Sequence, residues 1–252
     1  FIALLVGISL CACSSEDGLG DSGTGRARFT VYGEDYIEQE IPASVFADGW
    51  SAKFEKFLIV LGHVSVKKVG GETGATLDGT QLFNLVTPGP HVVGETRDIA
   101  SGRWDDVGYV FAPISAETAL HSSASADDRA LAQAGGSSGF LRGSATNGAG
   151  EKSFEWAFAT NIAFSSCIAD EDGKETPGFS VGFGSVEDVE LTIHGDHFFY
   201  DDLASPDALL RFDAIARADD DGDADGAVTL AEMSPISLGS IAGGSYRTGS
   251  AA

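Results

Sequence analysis

Along most of this chain, apolar and polar side chains alternate over short stretches, and glycine- or proline-bearing turns separate one stretch from the next. A period of two places successive side chains on opposite faces of a strand, so the pattern predicts many short, half-buried strands. The first two are expected at residues 29–32 and 36–41, the second ended by Pro42, which offers no N–H to a ladder. Residues 50–66 differ. Phe54, Phe57, Leu58, Ile59, Val60, Leu61, Val64 and Val66 leave no polar face, which predicts a central strand covered on both sides. Strands at 82–86, 91–93 and 103–111 follow, with Pro88 and Pro90 cutting the chain between the first two. Residues 140–146 and 154–164 predict a hairpin around Asn147-Gly148-Ala149-Gly150, and Phe154, Trp156, Phe158, Ile162 and Phe164 are expected to share one core-facing stripe. The last strand is expected at 186–193, with Val189, Leu191 and Ile193 inward.

Helical spacing is rarer. Residues 125–133 combine an acidic first turn with good helix formers and predict a short helix on an exposed excursion. Gly135-Gly136-Ser137-Ser138-Gly139 has the spacing of a nucleophile elbow, which needs a strand before the serine and a helix after it. Here the order is reversed, so the stretch reads as a linker. Ser205 and Pro206 predict a helix start, and Leu209, Leu210, Phe212, Ile215 and Ala216 form its apolar stripe. The expected fold class is therefore mainly β, an antiparallel β-sandwich with a short helical excursion and a C-terminal helix.

That helix leads into Asp221-Gly222-Asp223-Ala224-Asp225-Gly226-Ala227-Val228-Thr229-Leu230-Ala231-Glu232. Calcium is a hard cation that takes about six to eight oxygens at roughly 2.3–2.6 Å. Asp221, Asp223 and Asp225 can each supply one, the carbonyl of Ala227 another, Thr229 one directly or through water, and Glu232 both of its oxygens. Gly226 permits the sharp turn, and Val228 points inward. Starting the same pattern at Asp219 would put Ala224 where the glycine belongs and Leu230 at the last ligand. The stretch resembles an EF-hand loop, which implies bound calcium. The exit helix meets Pro235 after little more than one turn and no second loop accompanies it, so a static clamp is expected rather than a switch.

Net charge narrows the partners. A formal charge of −23 repels phosphate backbones and anionic membrane surfaces, so nucleic acid is excluded as a partner. The N-terminal run of residues 1–10 is apolar but too short to span a bilayer, and it ends in Leu10-Cys11-Ala12-Cys13. This resembles the hydrophobic region and lipobox of a bacterial lipoprotein signal peptide, with Cys11 an uncommon residue there and the basic segment and initiating Met missing. The resemblance implies a sequence that starts inside the signal, cleavage after Ala12 and lipidation of Cys13. Membrane attachment would then come through lipid, at the bacterial envelope: outer membrane, periplasm or cell surface. Cys167 would be left as the one free thiol, expected to be a small packed residue rather than a reactive one.

One further cluster carries chemistry. His194-Gly195-Asp196-His197 follows the last strand, and a bend at Gly195 could bring two imidazoles and a carboxylate together, a donor set suited to copper, zinc or iron. The competing reading is a hydrogen-bonded strand end. His63 and His91 could join only through folding. Acidic-loop lipoproteins with such a cluster beside aromatics resemble the periplasmic copper-binding partner proteins encoded with methanobactin systems. The order of strands and turns over residues 28–113 resembles prealbumin-like sandwich modules of surface lipoproteins, which implies no catalytic residue.

The expected organisation is a signal segment at 1–12, a lipidated Cys13 and flexible tether at 13–27, a β-sandwich at 28–202, a helix and calcium loop at 203–238 and a polar tail at 239–252. The functional expectation is a lipid-anchored, calcium-binding surface module that takes an extracellular protein or small ligand. The alternative is a copper- or zinc-binding protein using His194, Asp196 and His197. No nucleophile, base and orienting acid can be tied together, so an enzyme is not expected.

Overall fold

A computed structural model describes residues 23–69, 71, 73–171, 174–202, 205 and 207–235. The expected signal segment, Cys13, most of the tether, Pro206 and the tail lie outside these residues. The described residues open with β1 (Thr24–Tyr32), α1 (Glu34–Glu38) and the long β2 (Ser51–Lys67), then β3 (Thr73–Asn84) and β4 (His91–Ala100). Next come β5 (Gly102–Trp104), β6 (Asp106–Phe111), β7 (Ala119–Leu120), α2 (Ala126–Ala134), β8 (Gly139–Asn147), β9 (Gly150–Phe158) and β10 (Ile162–Phe164). The remainder is β11 (Ile168–Glu171), β12 (Lys174–Pro177), β13 (Phe179–Val181), β14 (Val186–Thr192), α3 (Asp213–Asp221), β15 (Ala227–Thr229) and α4 (Leu230–Met233).

The fold is mainly β and no sheet closes into a barrel. Apolar β2 is its spine: β8 pairs with its first half, β6 with its second, and β3 lies along the other edge. The larger sheet runs β10-β6-β2-β8-β9-β15, and a smaller one runs β14-β1-β4. Side chains from both sheets, among them Phe29 and Val31 of β1 and Phe54, Phe57 and Leu61 of β2, share one buried cluster. This is the sandwich that the alternating pattern predicts. Most pairings are antiparallel, but β1 with β14, β3 with β7 and β9 with β15 are parallel. Among the described residues, no helix is long and apolar enough to cross a membrane.

Several local expectations are corrected. Residues 24–27 are not tether but the start of β1, where Gly25 and Ala27 are buried between β4 and β14. Residues 36–41 form no strand: Glu34–Glu38 is one helical turn with Ile37 buried and Tyr36 packed beside it, and only Ile41 bridges, to Ala52. The expected core stripe ends at Phe158, since Ile162 and Phe164 stand on a separate edge strand and are exposed. Between β10 and β13, β11 and β12 pair with each other in antiparallel. The C-terminal helix starts not at residue 206 but at Asp213, where the Asp48 carboxylate accepts the backbone N–H groups of Phe212 and Asp213. Leu210 is extended, bridging Phe46 and Tyr200. Leu210, Phe212 and Val228 all lie in the sandwich core, so the acidic loop is packed onto the β domain itself.

Candidate metal centres

The acidic loop is held at both ends. Phe212, fully buried, packs its ring 4.9 Å from Trp50 and 5.9 Å from Phe199, and Trp50 donates its indole N–H to Asp213, 2.8 Å away. At the far end β15 runs parallel to β9, with the Ser153 N–H on the Gly226 carbonyl and the Trp156 indole on the Val228 carbonyl. The edge of the main sheet thus pairs the short strand that closes the loop.

Within the loop, carboxylate oxygens of Asp219, Asp223 and Asp225 all lie within 4.8 Å of one another, about twice a calcium–oxygen bond. Asp219 is 0 % exposed and accepts the Gly226 N–H, whereas Asp221 is the exposed last residue of α3 and stands outside this group. The buried carboxylate of this group is thus Asp219, two residues before the Asp221 that the twelve-residue spacing predicts. Ala224 at φ 56° and Gly226 at φ 89° take up the extra length in left-handed turns. Thr229 caps α4: Glu232 Oε2 accepts its N–H and hydroxyl, each at 2.8 Å, and those bonds hold Glu232 below the usual carboxylate pKa. The other oxygen, Glu232 Oε1, is buried, has no hydrogen bond and lies against Gly222, where a Cβ would come within 2.6 Å of it. Ala227 donates its N–H to Asp225 Oδ1 at 2.8 Å, and the Thr229 hydroxyl is taken up by Glu232. Sequence reasoning missed Lys152 of β9, whose ammonium contacts Asp219 and lies 2.6 Å from Asp220. That contact holds Asp219 well below the ordinary carboxylate range.

The second cluster forms as a bend after β14, not as a continued strand. Asp196–Phe199 is a 3-10 turn, and Gly195 lies so close to α1 that a Cβ would sit 2.5 Å from Ile37 Cγ1. Phe199 is driven into the aromatic core, 5.4 Å from Phe46 and 6.1 Å from Phe54. This brings His194, Asp196 and His197 within 4.8 Å of one another at their ligand atoms, the two imidazoles stacked at 4.9 Å. Asp196 is 8 % exposed: Oδ2 accepts the Tyr200 hydroxyl at 2.8 Å, and Oδ1 is buried without a partner. Burial and then the Asp196 hydrogen bond push the Tyr200 hydroxyl up to about 12. His194 Nδ1 lies 3.1 Å from Glu34 Oε2. Glu34 had no signal in its own neighbourhood, since it stands 160 residues away.

The remaining candidates lie elsewhere. His63 sits at a bulge in β2 with φ 49°, and His91 bonds the Thr87 carbonyl and packs on His121, so neither joins the cluster. Ser137 follows α2 and precedes β8, the reverse of an elbow. Cys167 is half-buried against the core, and burial raises its thiol pKa. Comparison with known proteins found no matching family model, no similar curated protein and no similar solved structure.

Proposed function

We propose that this protein is a calcium-binding β-sandwich module of the bacterial envelope, anchored by lipid on Cys13, with the ion serving to hold the C-terminal loop in shape. The observation that carries the calcium reading is the convergence of the Asp219, Asp223 and Asp225 carboxylates within 4.8 Å of one another, with Glu232 Oε1, outside that group, a buried oxygen that has no full hydrogen bond. An unpartnered buried acceptor costs about 1–3 kcal/mol, more when charged, and a cation in the loop removes that cost. The donors are all oxygen, which favours calcium over softer ions. The anchor rests on the lipobox-like Leu10-Cys11-Ala12-Cys13.

Thermal unfolding with chelator and with 10 mM calcium tests the ion. For a Kd of roughly 10⁻⁴ to 10⁻³ M, linkage gives about 1.4–2.7 kcal/mol, or a rise of roughly 3–10 °C for a domain of this size. Glu232→Gln keeps an acceptor for Thr229 but removes the charge, and it should abolish most of the rise. Equal melting temperatures with calcium and chelator in the wild type would refute the reading. Fractionation of cells producing the wild-type or Cys13→Ser chain tests the anchor, which predicts loss of the membrane-bound pool in the variant.

A further inference from the structure

The cluster at residues 194–197 differs in chemistry from the calcium loop and stands independently of it. The geometry points to a zinc site, with His194, His197 and Asp196 Oδ1 as the three protein ligands and Glu34 positioning His194 from behind. Three observations converge on it. The ligand atoms of the three residues already lie within 4.8 Å of one another, against about 3.4 Å for neighbouring donors on a tetrahedral ion with bonds near 2.1 Å. The two imidazoles are exposed and can close that gap by side-chain rotation, while the carboxylate is fixed by the core beneath it.

Asp196 supplies the second observation. It is 8 % exposed, one oxygen is used by Tyr200, and the other is buried with no donor at all. A strand end built only for hydrogen bonding would not leave that oxygen without a partner. A cation shared with the two rings would supply one. Glu34 supplies the third: its carboxylate lies 3.1 Å from His194 Nδ1, where it can accept an Nδ1–H and so leave Nε2 as the free donor atom for an ion. This carboxylate–histidine–metal relay fixes tautomer and ring orientation. Two nitrogens and one carboxylate oxygen suit a divalent first-row ion, and among these the tetrahedral preference of zinc fits three ligands with a fourth position left for water. Calcium, which seeks six or more oxygens, has no comparable set here.

The test is calorimetric titration of the whole protein with Zn²⁺ in 5 mM calcium, so that occupancy of the acidic loop does not change during the titration. One Zn²⁺ per chain is expected. His194→Ala/His197→Ala should weaken binding at least about 100-fold, and Glu34→Gln about tenfold, the usual range for an outer-sphere partner. Asp196→Asn keeps an acceptor for Tyr200, so it should weaken binding while leaving the far-ultraviolet dichroism unchanged. Co²⁺ as a spectroscopic substitute should show the intense visible bands of a tetrahedral site in the wild type and lose them in the double variant. Equal Zn²⁺ uptake by the wild type and the double variant, or none by the wild type, overturns the assignment. Calcium needs only to be present as competitor, so failure of the calcium reading leaves these outcomes unchanged.

Discussion

Replacing Lys152 by Met should tighten calcium binding, although it removes an ion pair. The Lys152 ammonium contacts Asp219 and lies 2.6 Å from Asp220, and only 16 % of its side chain is exposed. It is a tethered cation competing for the carboxylate that opens the loop. An ion on the other oxygen of Asp219 would lie about 5 Å from the ammonium, given a bond of roughly 2.4 Å on one side and a contact near 2.8 Å on the other. At that separation a double and a unit charge repel by about 1.7 kcal/mol in water, and physiological salt screens away roughly half. Removing the ammonium should therefore lower the calcium Kd about fourfold at physiological salt and up to about 18-fold at low salt. Without calcium the effect reverses: Asp219 loses its cation, the acidic groups repel, and the melting temperature of Lys152→Met should fall below that of the wild type. Calorimetric titration at low and high ionic strength measures both parts, and the affinity difference should shrink as salt rises. An unchanged or weaker affinity in Lys152→Met would mean that no ion sits against Asp219 and would refute a calcium site built on that carboxylate.

Phe212→Ala removes a fully buried ring from the cluster that seats α3, so it should cost about 3–5 kcal/mol in urea unfolding and weaken calcium binding with it; a loss under 1 kcal/mol would detach the helix from the core. Asp128 is buried, which alone would raise its pKa, but the Lys56 ammonium and Ser125 more than offset this and hold it below the ordinary value. Its stabilising contribution is thus present above the unfolded-state pKa near 3.9 and lost as pH falls through the lower folded value. Asp128→Asn should accordingly be less stable than the wild type by roughly 1–2 kcal/mol at pH 7, with the gap closing below about pH 4; a gap that stays constant down to pH 2 would contradict it.

What could be read from the sequence was whatever a local window contains. The spine β2 was legible because its apolar run is too continuous for an exposed strand, and the β8–β9 hairpin because its alternation flanks an Asn-Gly turn. Residues 36–41 were misread because a single helical turn and a short alternating stretch look alike over six residues. The start of α3 was misplaced because its cap, Asp48, is 164 residues from Phe212. The acidic loop was recognisable as a cation-binding pattern, but spacing alone favoured Asp221. Which aspartate is buried depends on Lys152 in β9, and no count of residues within the loop could reveal it. Glu34 was hidden in the same way: the three residues of the histidine bend are adjacent in sequence, whereas the group that orients them is not.

The two candidate centres share more than acidic chemistry. Phe199, which seats the histidine bend, and Phe212, which seats α3, lie 5.9 Å apart, and both face Phe154 of β9. Between them the Arg211 N–H bonds the Phe199 carbonyl, the Asp201 N–H bonds the Leu209 carbonyl, and the Asp201 carboxylate takes Arg211 at 3.0 Å. The segment carrying one centre is thus laced to the segment carrying the other, over a close-packed aromatic floor that shifts as a unit if it shifts at all. The β-sandwich then serves as a rigid frame, and the sequence spends its aromatic residues where the C-terminal third must be held to it.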